Sequence, residues 1–149
     1  MIYHVSKSGN DKNVGSKSLP FLTINRAASV ALPGDTVIVH DGEYREWVDP
    51  KYGGLDESSR ITYTAADGDK VVIKGSEIVT DWERVEGSVW KKVLPNDMFG
   101  DWNPYDERIY GDWFENPRNY HVHTGEVYIN GKSCYEASSL EDVYTAEPY

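Results

Sequence analysis

The stretch PFLTINRAASVALPGDTVIVHDGEYRE, residues 20–46, changes period in its middle, and that change decides the fold. Thr23 is placed to cap a helix, and Ile24, Ala27, Ala28 and Ala31 then recur at the spacing of one helical face. Three of those four inward positions are alanine, so this helix can lie close against another backbone as a lid. Pro33-Gly34 stops it. TVIVH (36–40) and EYREWV (43–48) follow as short β-rich runs separated by Asp41-Gly42. Neither run can make a sheet alone, so something must stack on them.

Working outward, IYHVS (2–6) reads as a strand and SGNDKNVGSKS as a polar loop of turn formers. Downstream, RITYTA (60–65) and KVVIKG (70–75) repeat the short-run pattern, with Asp67-Gly68 between them. Short strands recurring between polar turns, without hairpin dipeptides at matched lengths, indicate a solenoid. A sandwich also uses many short strands, but it requires antiparallel partners within this stretch. A helical lid followed by TVIVH fits a solenoid end, where a terminal repeat hides the core. About two coils are present, against the roughly three that solenoids need for stability.

Near Gly75-Ser76 the texture shifts. EIVTDWERVEGSVWKKVLP (77–95) reads as two antiparallel strands joined near Glu86-Gly87-Ser88, with Trp82 and Trp90 as cross-strand neighbours. Residues 96–125 have little periodicity and many aromatics. EVYINGKSCYEA is a hairpin around Asn130-Gly131, and SLEDVYTAEPY shows no closing element. The sequence is therefore divided into residues 1–76, a helix-capped solenoid start, and residues 77–149, an antiparallel β insert.

The formal charge of −10 offers no basic stripe to displace counterions from phosphates, which excludes nucleic acid as a partner. No run approaches the length of a membrane span. A single cysteine, Cys134, excludes a disulfide framework and a thiolate zinc site. With no basic and apolar leader in MIYHVSKSGN, a cytoplasmic location is expected if Met1 is the natural start. No cofactor is expected.

Two quoted blocks carry a resemblance. Residues 20–46, followed by RITYTAADGDKVVIKGS (60–76), resemble the first coils of right-handed parallel β-helix proteins of the pectate-lyase-like architecture, which by itself specifies no chemistry. REWVDPKYGGL, DWERVEGSVWKKVLPNDMFGDWNPY, IYGDWF and EVYINGKSCYE resemble the start of the β-xylosidases of glycoside hydrolase family 120. That resemblance implies a mainly β fold: a parallel β-helix with a short capping α-helix, interrupted by a β-sandwich insert. It implies retaining hydrolysis of xylose-containing oligosaccharides by two carboxylates lying beyond residue 149. The chain alone is then expected to be inactive. A free-standing carbohydrate-binding module and a purely structural or oligomerisation module are the alternatives. An open coil face is an unpaired strand edge plus apolar surface, so homo-oligomers are expected.

Retaining glycosidases need two carboxyls about 5 Å apart, one of them with a raised pKa. Asp106-Glu107, Asp41/Glu43 and Glu141-Asp142 are available, but none sits in a setting that marks a buried acid. The aromatics of DWNPYDERIYGDW (101–113) carry more chemistry. Sugar C–H faces stack on indole and phenol rings, while neighbouring carboxylates and amides bind hydroxyls. Trp113, in the Gly-Asp-Trp that matches the family pattern, is the leading substrate-binding residue, with Trp102, Tyr105 and Tyr110 beside it. Filling a core or a subunit interface is the competing role for these rings. His121 and His123 share a strand-face spacing, but a metal site needs a third ligand, and His4 and His40 are poor candidates. GNDKNVG (9–15) lacks the spaced acids of a calcium loop and reads as an Asx-rich turn. Arg45-Glu46 is expected to form an outward charge ladder, or Arg45 to meet a carboxylate on the next coil.

Overall fold

A computed structural model describes residues 1–114 and 122–146. It is mainly β with few helices, and no barrel closes among the described residues. The chain forms two compact units, Met1–Ile78 and Val79–Tyr149.

In the first unit β1 (Ile2–Val5), α1 (Ile24–Val30), β2 (Thr36–Val39), β3 (Gly42–Arg45), β4 (Thr62–Ala65) and β5 (Val71–Lys74) follow in order. β1 pairs with β2 and β2 with β4, both parallel and in register, so that Tyr3, Val37 and Tyr63 form one column and Val5, Val39 and Ala65 another. β3 and β5 pair in parallel as a second sheet, with Tyr44 opposite Ile73. The antiparallel partners that a sandwich would need are absent from these five strands.

The pleat sends alternate side chains inward, and the core is Val5, Phe21, Ile24, Ala27, Ala31, Val37, Val39 and Tyr44. α1 covers it on its alanine face, with Ala27, Ala28 and Ala31 at no more than 1% exposure. Thr23 Oγ1 accepts from Arg26 N at 3.1 Å. The remaining helix N–H groups are taken by Glu46, whose two carboxylate oxygens accept from Ile24 N at 3.2 Å and Asn25 N at 2.7 Å. This explains why β3 stops at Arg45, short of the run expected to reach residue 48: Glu46 turns back to cap the helix. Asp11 Oδ1 accepts from Leu22 N and Thr23 N, both at 2.9 Å, so the Asx-rich turn anchors the lid.

Asp35 is the buried polar residue of this core, at 6% exposure. The Met1 ammonium, foremost, and the Leu32 N–H donate to its carboxylate and hold it below the usual aspartate range. On the outer face Glu43 bridges Arg45 at 2.8 Å and Lys74 of the next rung at 2.5 Å. An outward ladder therefore forms, but through Glu43, because Glu46 is engaged at the helix. Arg45 meets the carbonyl and hydroxyl of Ser76 at 2.6 and 2.7 Å, with no carboxylate of the next coil.

The second unit holds two hairpins, β6 (Glu83–Glu86) with β7 (Val89–Lys91), and β8 (Val127–Ile129) with β9 (Lys132–Cys134). Asn130 and Gly131 both take positive φ, 52° and 79°, as a two-residue loop of this twist requires. In the first hairpin Trp90 faces Arg84, not Trp82. A two-residue loop at Gly87-Ser88 and a bulge between Arg84 and Glu86 set that register, leaving Trp82 just before the strand with its indole N–H on Val79 O. The tail does carry an element, α2 (Leu140–Thr145), capped by Ser139 Oγ on Asp142 N at 3.2 Å. Ser139-x-x-Asp142 is the start signal that marks it.

Candidate functional site

The aromatic segment begins with one 3-10 turn at Asn96–Phe99, closed by Gly100 at φ 64°. Asn103 then organises a turn: its side-chain amide donates to Asn96 Oδ1 at 3.0 Å, and its Oδ1 accepts from Tyr105 N at 2.9 Å. Residues 104–109 next run antiparallel to 122–125. Gly125 N and Thr124 Oγ1 donate to Pro104 O, Thr124 N to Glu107 O, and Ile109 N to Val122 O.

Within this frame the aromatic rings differ. Tyr105 is half-buried, edge-to-face on Phe99 at 5.7 Å, and its hydroxyl donates to Glu126 O at 3.4 Å. It also lies over Gly125, where an added Cβ would stand 2.5 Å from the ring. Trp102, Tyr110 and Trp113 are exposed, by 57%, 78% and 74%. Trp113 folds back over Gly111, whose φ of 141° and missing Cβ make room for the indole N–H. Its ring meets Phe114 edge-on at 6.0 Å. Trp102, Tyr105 and Trp113 lie on one continuous segment, but among the described residues no ring contact joins them to each other.

Glu43 lies below the usual range through its Lys74 hydrogen bond, Asp142 through Ser138 and Ser139, Glu126 through Ser133 and Tyr128, and Asp56 through Ser58. These carboxyls, like Asp35, are held toward the ionised form, whereas a glycosidase acid must be raised. Asp106, Glu107, Asp41, Glu43, Glu141 and Asp142 are all exposed.

His121 lies outside the described residues, so its pairing with His123 has no placement. His123 Nδ1 stands 2.5 Å from Glu136 Oε1, and its backbone N–H donates to Glu136 Oε2 at 2.9 Å. His4 and His40 are hydrogen-bonded to each other, Nδ1 to Nε2 at 3.0 Å. Among the described residues no group of three or more His, Cys, Asp or Glu is arranged to hold a metal. A shallow depression lined by Gly54, Leu55, Asp56, Glu57 and Arg60 also went unread in the sequence, which has no periodic signal there.

Residues 79–149 match the family described as glycoside hydrolase 120, insertion domain, and residues 7–52 match a protein family of unknown function, DUF1565. The solved structure of XylC in complex with xylose is 57% identical, with a TM-score of 0.90, over 97% of this chain and 22% of XylC. The uncharacterised protein YwoF of Bacillus subtilis (strain 168) is 37% identical over 75 residues, 50% of this chain and 16% of its own. A structure described as a glycoside hydrolase is 25% identical, with a TM-score of 0.47, over 60% of this chain and 17% of that one. The chain thus spans about a fifth of the length of XylC.

Proposed function

We propose that the chain is part of a glycoside hydrolase 120 β-xylosidase-like glycosidase acting on xylose-containing oligosaccharides, a reading supported by the insertion-domain match over residues 79–149 and the likeness to XylC. The observation that carries this is the 57% identity to XylC over nearly the whole chain. Residues 1–76 act as the helix-capped first coils of a right-handed parallel β-helix. The in-register parallel columns and the alanine-faced lid support that assignment. Residues 77–149 act as part of an antiparallel, sandwich-like insert, supported by the two hairpins and the insertion-domain match.

The chain supplies scaffold and sugar contacts rather than the reacting acids. A retaining mechanism needs one carboxyl held protonated beside an ionised partner about 5 Å away. We place the reacting pair outside these residues, as the resemblance to the β-xylosidases of glycoside hydrolase family 120 implies; the chain matches 22% of XylC. The exposed indoles of Trp113 and Trp102 offer stacking faces for sugar rings, and Tyr105 supports the turn between them. Calorimetric titration with xylotriose tests this. Saturable binding that Trp113→Ala abolishes is expected. Binding untouched by the substitution would remove Trp113 from the site, and no binding at all would remove the sugar-contact role.

Self-association is a second reading, favoured by one feature of the strand stack. β4 and β5 end their sheets, with Ile73 55% exposed and the buried Tyr63 hydroxyl without a hydrogen-bond partner. Sedimentation as a monomer at all concentrations would rule it out.

A further inference from the structure

Two imidazoles and a carboxylate form a line across the strand stack, remote in sequence from the aromatic segment. His4 lies on β1, His40 just after β2 and Asp69 just before β5. His4 Nδ1 stands 3.0 Å from His40 Nε2, and His40 Nδ1 stands 3.1 Å from Asp69 Oδ2. The two rings are nearly coplanar in tilt, 14° apart, with centroids at 5.3 Å. The line thus joins residues 36 and 29 positions apart in the chain.

The proton positions follow from the carboxylate. Ionised Asp69 can only accept, so His40 presents Nδ1–H to it. A neutral His40 then carries a bare Nε2, which accepts from His4 Nδ1–H. His4 Nε2 remains as the unprotonated outer end. Other groups hold the line in place. Asp41 N donates to Asp69 Oδ2 at 3.1 Å, and Lys70 N donates to the Asp41 carboxylate at 3.0 Å. Tyr44 donates its hydroxyl to His40 O at 2.9 Å, with Lys7 Nζ 4.9 Å over its ring. On the His4 side the facing charge is Lys17. Burial first, then His40 and Lys17, keep His4 below the ordinary imidazole value.

We propose that the His4–His40–Asp69 line is an acid-sensitive clasp on the first strands of the stack, intact with one added proton and opened by the second. The first proton has a free lone pair at His4 Nε2, and taking it leaves both hydrogen bonds in place. The second must go to His40 Nε2, the atom that accepts from His4. Two N–H groups of two cations then face each other, and the His4–His40 bond is lost while His40–Asp69 survives.

The sign of the stability change follows. His4 is lowered in the folded chain, so on acidification the unfolded chain binds its proton first. The stabilisation that neutral, partly buried His4 contributes is full above the ordinary imidazole value of about 6.5 and is lost as pH falls through it toward the folded value, before the second proton opens the clasp.

Nitrogen-15 NMR of the imidazoles in the intact 149-residue chain, titrated from about pH 8 to pH 4.5, tests the clasp. The expected result is two proton uptakes by the His4–His40 pair, separated by more than about one pH unit. The His40 backbone amide, which donates to Val5 O at 2.8 Å, is expected to move only with the second uptake. In parallel, the urea midpoint is expected to fall on acidification and to flatten in His4→Phe. Independent single-step titrations of the two rings at a common pH would overturn the proposal. So would a pH-independent urea midpoint. The wild-type titration decides the matter even if the variant does not fold.

Discussion

Residues 1–78 enclose Val5, Val37, Val39, Phe21, Ile24 and Tyr44 at no more than 4% exposure, whereas none of the described residues 79–114 and 122–146 is buried. Both stretches are rich in large apolar side chains, but only the first has strands that stack. Parallel rungs in register bring Val37 and Val39 under the same lid as Val5, and each rung hides the one before it. The hairpins β6–β7 and β8–β9 are each two-stranded, which in water is marginal on its own. Their aromatics, Trp82, Trp90 and Tyr128, stay at the surface, as do Trp102 and Trp113 of the connecting segment. The contrast separates a region that holds the fold from a region that displays rings.

That contrast can be broken by substitution. Tyr44→Ala removes a fully buried ring and the hydroxyl bond to His40 O. It is expected to cost about 3–5 kcal/mol in urea unfolding, in line with core aromatic truncations. Trp90→Ala removes a still larger side chain that is 54% exposed and faces Arg84. It is expected to change stability by no more than about 0.5 kcal/mol. Equal losses in the two variants would erase the distinction.

What could be read from the sequence was what depends on neighbours along the chain. The Thr23 cap, the alanine face of α1, the four short runs after Pro33 and the Asn130-Gly131 hairpin are all local signals, and each has its element in the structure. Unread were the contacts between residues that stacking brings together. Glu46 reaches a helix start 22 positions earlier, and His40 touches both His4 and Asp69. Neither pairing leaves a periodic trace. The Trp82–Trp90 expectation failed because hairpin register depends on loop size and bulges, and composition does not fix those. The aromatic segment stood out in the sequence by its density of rings, but its irregular backbone gave no means of placing Trp102 against Trp113. Tyr105 illustrates this, since its contacts with Phe99 and Gly125 depend on a fold that no spacing announces.

The most direct test is whether the purified 149-residue chain cleaves an aryl β-xyloside. Because the proposal places the reacting acids outside these residues, no aglycone release above the buffer rate is expected at any pH. Release that scales with chain concentration and persists through purification would contradict the account. The acid pair would then have to lie within these residues.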